Sequence, residues 1–354
     1  MTLPDPAFWS GKRVLLTGHT GFKGSWAALW LAAMGAKVTG FALAPETEPA
    51  LFNLARVESD VMSITGDLRD AAAVSKSVAT ADPQIVIHMA AQALVRRSIA
   101  EPVATFATNV QGTTHLLDAL RGRPALRAAL VVTSDKVYAN DELGRAFVET
   151  DRLGGGKDAY SASKAAAEIA TRAYALSYFG PAGIPVATAR GGNVIGGGDF
   201  AADRLVPDVI RAVQSGKKLA LRHPQAMRPW QHVLDCVGGY LVFVEAMANG
   251  RAVSPALNFG PDDSALTVAE LAEAIFNALG QKPAWYHQAE PGSIERAMLA
   301  IDASRARAEL GWRSRLADTA AIAWTANWYR AFAADEDLRT VTLDQIAAYC
   351  RAAA

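Results

Sequence analysis

Short apolar runs alternate with longer amphipathic ones through the first half of the chain. Residues 12–17 (Lys-Arg-Val-Leu-Leu-Thr) are β-rich and end in a cluster of glycines, after which residues 25–34 read as a helix. Gly35-Ala36 closes that helix and residues 37–43 supply a second strand, so the chain opens with a strand–helix–strand unit whose strands run parallel. The pattern repeats, with strands predicted at 61–65, 84–89, 128–132 and 186–190 and helices at 71–79, 103–121 and 161–179.

Such alternation predicts an α/β fold, a Rossmann-type doubly wound parallel sheet. Beyond residue 190 glycines and polar residues dominate 191–203, helices are predicted at 205–215 and 234–248, and later helices at 268–279 and 319–334 are mixed with loops. No linker and no internal repeat divides the chain. The expected organisation is a cofactor-binding domain over 1–190 that carries the catalytic residues, with a smaller α/β substrate lobe over 191–354 woven into it.

Composition narrows the functions. Half of the 354 residues are apolar, and 35 Lys plus Arg balance 35 Asp plus Glu, so no overall field favours nucleic acid or an anionic membrane. An anionic ligand must be held by local groups. Cys236 and Cys350 stand far apart and the six histidines are scattered, so neither a disulfide framework nor a metal site is expected. With no apolar run of signal-peptide or membrane-spanning length, a cytoplasmic protein is the expectation.

Gly18-His19-Thr20-Gly21-Phe22-Lys23-Gly24 follows a strand and precedes a helix. Glycines so placed allow a sharp turn, close approach of a pyrophosphate and tight helix–strand packing, while the helix N-terminus supplies counter-charge. A plain tight turn is the bland alternative, weakened by the strand–helix–strand setting. Asp67-Leu68 follows the third strand, where the carboxylate could accept from an adenine amino group or simply cap the next helix. Ala90 and Ala91 end the fourth strand with side chains small enough for a cofactor to lie over them. The second strand ends Phe41-Ala42-Leu43-Ala44, without the acid that usually grips a ribose 2′-hydroxyl. Losing that charge-assisted bond forfeits about 1.5–3 kcal/mol, which weakens NAD without forbidding it. No arginine stands there to favour NADP, which remains the alternative cofactor.

Tyr160 and Lys164 lie one helical turn apart. A phenol is a poor base at neutral pH, and a nearby ammonium favours its ionised form. A surface tyrosine beside a solvated lysine is the commoner meaning of this spacing. Here the glycine turn upstream and Thr133-Ser134-Asp135-Lys136 at the end of the fifth strand argue for chemistry.

These segments, together with 92–98 (Gln-Ala-Leu-Val-Arg-Arg-Ser), Asn109-Val110-Gln111-Gly112-Thr113, 133–138 and Arg228-Pro229-Trp230-Gln231-His232-Val233, resemble the extended short-chain dehydrogenase/reductases nearly end to end. Within them the likeness is to the CDP-glucose 4,6-dehydratases. The resemblance implies NAD held by the glycine turn, Asn109, Thr133, Tyr160 and Lys164. It implies oxidation of a nucleotide sugar at C4 by Tyr160, with Ser134 on the substrate hydroxyl, then loss of water across C5 and C6 and hydride return. Elimination needs an acid and a base beyond Tyr160. Asp135 matches the family's acid, whereas Lys136 stands where the related dTDP-glucose enzymes carry a glutamate base. Mutual pairing of Asp135 with Lys136 is the bland alternative.

Asn193, Arg204 and Arg228 match the family's sugar-nucleotide grip, arginine suiting a diphosphate through its planar fork. Trp230 and His232 read equally well as core. The helices at 103–120 and 161–179 are those through which relatives form a four-helix dimer core, so a homodimer or homotetramer is implied. A sugar-nucleotide epimerase or reductase, a dehydratase of another nucleotide-hexose, and a non-catalytic dinucleotide sensor are the competing readings.

Overall fold

The computed structural model describes residues 2–139, 145–261, 266–289, 299–316 and 318–351. Among the described residues eleven strands occur: β1 (Arg13–Thr17), β2 (Lys37–Ala42), β3 (Met62–Thr65), β4 (Ile85–His88), β5 (Ala128–Val132), β6 (Val186–Gly191), β7 (Asn193–Ile195), β8 (Leu219–Leu221), β9 (Trp230–His232), β10 (Ala256–Phe259) and β11 (Trp285–His287). Seven form one parallel sheet in the order β10-β6-β5-β4-β1-β2-β3. β4, β5 and β6 are buried at every position because helices cover both faces, which is why they read as unbroken apolar runs rather than alternating ones.

Six of these seven strands were expected. The seventh, β10, pairs with β6 through Ala256↔Thr188 to Phe259↔Gly191. Its four residues carry no periodic signal of their own; what delivers it is the Val233–Ala248 helix, apolar on all sides and buried along almost its whole length. That helix packs against the sheet and the Phe22–Ala33 helix. One strand from beyond residue 190 therefore completes the first sheet, and one helix from there covers it.

Two further two-stranded sheets, β8 with β11 and β7 with β9, are built from segments after residue 190. Helices Ser304–Leu310 and Leu338–Arg351 were not expected. The last helix buries little beyond Leu338, Thr342, Ile346 and Tyr349, a stripe too thin to announce itself. It is pinned as well by polar anchors: the Tyr349 hydroxyl donates to buried Asp235 at 2.8 Å, Thr342 Oγ1 accepts from the Trp328 indole at 3.0 Å, and Arg339 pairs with Asp60.

The predicted helices at 103–121 and 161–179 exist, each carrying a π-turn, at Ala107–Gln111 and Ala175–Phe179. Around them Val103, Phe106, Ile169, Leu176 and Tyr178 stand exposed. Among the described residues no helix is long and apolar enough to cross a membrane.

Candidate active site

Strand order reverses between β1 and β4, and ligands of such sheets bind outside the carboxyl ends of the strands at that point. The glycine turn lies there. Gly18 has φ +79°, and a Cβ on it would fall 2.7 Å from the Ala90 nitrogen; one on Gly24 would fall 1.9 Å from the Gly18 oxygen. Both positions therefore demand glycine. Gly21 differs, because a Cβ there would meet only the Gly18 oxygen, at 3.4 Å, and no side chain caps the Phe22–Ala33 helix that it precedes. Open space in front of an uncapped helix N-terminus fits a diphosphate, so the residues present suit a dinucleotide.

The floor of this crevice is a chain of hydroxyl and imidazole groups. Thr17 Oγ1 accepts from the Met89 and Ala90 amides, each at 3.1 Å, and bonds to His88 Nδ1 at 2.6 Å. His88 Nε2 meets Thr113 Oγ1 at 2.9 Å, which donates to the Asn109 carbonyl. That last donation makes Thr113 an acceptor from His88, so the imidazole carries its proton on Nε2; burial holds its pKa down at about 3. Asn109 lies beneath the cleft with its amide spent on the Gln92 backbone and on Ser163 Oγ, at 2.8–3.0 Å. Thr20 Oγ1 donates to the Leu43 carbonyl, tying the turn to the end of β2. Asp67 is forked by Arg69, whose guanidinium holds its carboxyl below the usual range. Leu68 is buried, and its carbonyl bonds His115 Nδ1 at 2.9 Å.

Beside the crevice opens a cavity of roughly 360 Å³ lined by Lys23, Ala91, Thr133, Ser134, Lys136, Tyr160, Lys164, Asn193, Arg204 and Arg228, among others. Ten of the expected site residues thus face one space. β5 ends at Val132, and Ser134 caps a single turn, Asp135–Val137, by accepting from the Lys136 amide at 3.2 Å. The Ser134 hydroxyl donates to Asp135 Oδ1 at 2.9 Å, and it lines the cavity with the Tyr160 phenol. Lys136 Nζ reaches the same Asp135 oxygen at 3.2 Å, so acid and base are paired. They are paired at the cleft: Lys136 lines it, and the second Asp135 oxygen is buried without a partner.

Burial pushes the Tyr160 phenol up, opposed by Lys136, the Ser134 hydroxyl and Arg204. Two of the cations favouring the phenolate therefore come from elements other than its own helix. Lys164 donates to the Val132 carbonyl at 3.0 Å, and burial, then the charge of Lys23, lowers it to about 7 against the pull of Glu168.

A buried polar network stands behind this cluster. Glu168, one turn beyond Lys164, accepts from Thr133 Oγ1 at 2.6 Å and from Arg190 Nε at 2.8 and 3.0 Å. Arg190 donates on to the Tyr138 hydroxyl at 2.8 Å, and Tyr138 to Asn258 Oδ1 at 2.6 Å. β5, β6, β10 and the catalytic helix Ala159–Tyr174 are thereby locked together. None of these four partners was assigned a role from sequence, although the i,i+4 spacing of Lys164 and Glu168 placed them on one face.

On the lobe side Arg204 pairs with Asp199 at 3.0 Å, and Asp203 bridges Arg96 at 3.2 Å and Arg222 at 2.9 Å. Arg228 NH1 donates to the Met227 carbonyl at 2.8 Å, and Asn193 opens β7. Trp230 lines the cavity with its indole N–H bonded to the Leu266 carbonyl, while His232 is buried with its pKa lowered to about 3. Among the described residues no cluster of metal-ligating side chains occurs.

A parallel sheet with a glycine turn at its switch point and a serine, tyrosine and lysine at the adjoining strand ends defines a dinucleotide-dependent enzyme of the short-chain dehydrogenase/reductase type. The chain belongs to the NAD dependent epimerase/dehydratase family, whose pattern it matches over residues 14–258. It is 41% identical to the CDP-glucose 4,6-dehydratase of Salmonella typhimurium, over 98% of this chain and 99% of that one. The dTDP-glucose 4,6-dehydratase of Xanthomonas campestris pv. campestris is 33% identical over 89% of this chain and 92% of its own. Among solved structures, DesIV of Streptomyces venezuelae, a dTDP-glucose 4,6-dehydratase with NAD and TYD bound, superposes with a TM-score of 0.77 at 25% identity, covering 92% of this chain and 99% of that one.

Proposed function

We propose that the protein is a sugar-nucleotide 4,6-dehydratase that converts CDP-D-glucose to CDP-4-keto-6-deoxy-D-glucose. The observation that carries this reading is that Tyr160, Ser134 and Lys136 line one cleft beside the glycine turn, with Asp135 bonded to both Ser134 and Lys136. NAD+ held at the turn of Gly18, Gly21 and Gly24 would supply the hydride acceptor for sugar C4 and the donor for C6. Ser134 holds the 4-hydroxyl, and the Tyr160 phenolate, favoured by Lys136 and Arg204, accepts its proton.

The resulting 4-ketone acidifies C5–H. For Lys136 to act as base and Asp135 as acid, the proton of their 3.2 Å ion pair must pass to the carboxyl before C5–H is attacked. Lys136 then takes the C5 proton while Asp135 protonates the departing C6 hydroxyl as water, and Lys136 gives its proton back to C5 as hydride reaches C6. Arg204 and Arg228 suit the diphosphate and Asn193 the sugar. Residues 1–190 carry the cofactor and chemistry, and 191–354 the interwoven substrate lobe. The cytidine base rests on likeness to the Salmonella enzyme.

Incubating the protein with CDP-glucose and NAD+ tests the reading, product being followed by the ultraviolet absorbance of a 4-keto sugar in alkali. Turnover is expected, and its loss in Tyr160→Phe with cofactor binding retained. Activity on another nucleotide-glucose alone would overturn the base assignment, and epimerisation without water loss would overturn the dehydratase. The exposed apolar side chains around Val103 and Leu176 support a homodimer, which a single-chain mass in sedimentation equilibrium would refute.

A further inference from the structure

Arg204 stands where its own helix does not favour it. It is the N-cap of Leu205–Ser215, so its charge meets the positive end of the helix dipole, and no side chain caps that helix. What the position offers is access: Gly196, Asp199, Asp203 and Arg204, all from the loop 196–204 after β7, line the cavity of Tyr160. The loop is clamped from behind. Trp26 donates its indole N–H to the Gly197 carbonyl at 2.9 Å, and a Cβ on Gly197 would fall 1.9 Å from Trp328 Cγ. Phe200 sits among Trp328, Tyr329 and Phe332 of the Asp318–Ala333 helix, with ring centroids 5.2–6.2 Å apart. Tyr329, itself buried, donates its hydroxyl to the Asp199 carbonyl at 2.5 Å. Asp199 is fixed at its carboxylate as well: Oδ1 accepts from the Ala201 amide at 3.1 Å, and Oδ2 pairs with Arg204 at 3.0 Å. The anchor is buried and the arginine side chain one-third exposed.

An arginine side chain is long and rotates freely, and the pull of its charge on a phenolate falls with distance, so a loose guanidinium supports Tyr160 only part of the time. We propose that Asp199, set in place by Tyr329, is a positioning residue that holds the Arg204 guanidinium beside the Tyr160 phenol. Tyr329 is absent from the cavity lining and acts only through Asp199. The phenol also faces Asp135 and Lys136 from the turn after β5 and Tyr240 from the Val233–Ala248 helix, and Lys164 and Lys23 line the same cavity. Of these groups only Arg204 depends on the loop. Two roles for Asp199 predict opposite signs. As an anchor, its loss frees Arg204 and makes the phenol harder to ionise; as a mere counter-charge, its loss strengthens the positive field and makes the phenol easier to ionise. The inference rests on the proposed dehydratase, with Tyr160 as proton acceptor, and deepens it.

To test it, kcat is measured against pH with CDP-glucose and NAD+ saturating, for the unaltered protein, Tyr329→Phe, Asp199→Ala, Arg204→Met and the double variant Asp199→Ala/Arg204→Met. Loss of a cation beside a phenol raises its pKa by about one pH unit, which is about a tenfold loss of rate on the acid limb. That loss is expected in Arg204→Met and in Asp199→Ala, and it closes as rising pH ionises the phenol unaided. Tyr329→Phe keeps the aromatic cage and shows a smaller loss of the same sign. In the double variant, removing Asp199 costs nothing beyond the loss of Arg204. An acid limb that stays or moves to lower pH in Asp199→Ala, a deficit equal at every pH, or a further loss in the double variant overturns the proposal and leaves the dehydratase intact. Absence of turnover in the unaltered protein overturns both.

Discussion

The two walls of the cleft are built by opposite means. On the strand-end wall, Thr133, Glu168, Arg190, Tyr138 and Asn258 form an unbroken network buried from solvent. On the lobe wall, Asp203 holds Arg96 and Arg222 with side chains that are between a quarter and a half exposed. A buried ion pair at the first wall cannot rearrange without stranding a charge, whereas exposed pairs exchange with water at little cost. Hydride transfer needs fixed distances, and admission of a nucleotide sugar needs groups that can let go. The difference teaches where this molecule can bend.

The sharpest test of that contrast is Glu168→Gln, which leaves the Arg190 guanidinium buried and uncompensated. Loss of about 3–5 kcal/mol of stability is expected, read as a lowered urea midpoint; a change below 1 kcal/mol would erase the distinction between the walls. The next effect lies at Lys164, whose folded pKa of about 7 stands well below the ordinary lysine value of about 10.4. Between those values the unfolded chain holds a proton that the folded chain has released, so stability rises with pH across that window. The unfolding free energy of the cofactor-free protein relative to Lys164→Met should therefore climb from pH 7 to 10, by at most about 1.4 kcal/mol per unit. A flat difference would place Lys164 in a wetter site than its burial implies. The smallest effect belongs to Asp203→Asn. Asp203 has φ +59°, a conformation asparagine also adopts readily, and its pairs are exposed, so stability should shift by less than about 1 kcal/mol. A midpoint loss matching that of Glu168→Gln would show that the lobe wall is as rigid as the other.

Much of the first wall was legible in the sequence where its signals are local. The apolar runs of β1 to β6, the glycine spacing and the Tyr160–Lys164 turn each express themselves within a few residues. β10 did not, because four residues acquire strand structure only by pairing with β6. Nor did the role of Glu168: its spacing from Lys164 was visible, but its partner Arg190 is 22 residues away. The bonds of the Asn109 amide were equally out of view, since its partners Gln92 and Ser163 lie 17 and 54 residues away. Likewise the phenol's supporting cations, Lys136 and Arg204, come from a strand end and a lobe loop, and only folding brings them to it.

The late arrival of β10 and the Val233–Ala248 helix matters for how the protein is made. A nascent chain of which only 190 residues have emerged has its glycine turn and catalytic tyrosine, but β6 is a bare sheet edge and the apolar flank awaiting that helix is uncovered. Such surfaces recruit other chains. The ribosome must therefore deliver some seventy more residues before the molecule is safe from aggregation, a delay that invites chaperone attendance and makes a fragment ending at the apparent domain boundary an insoluble product.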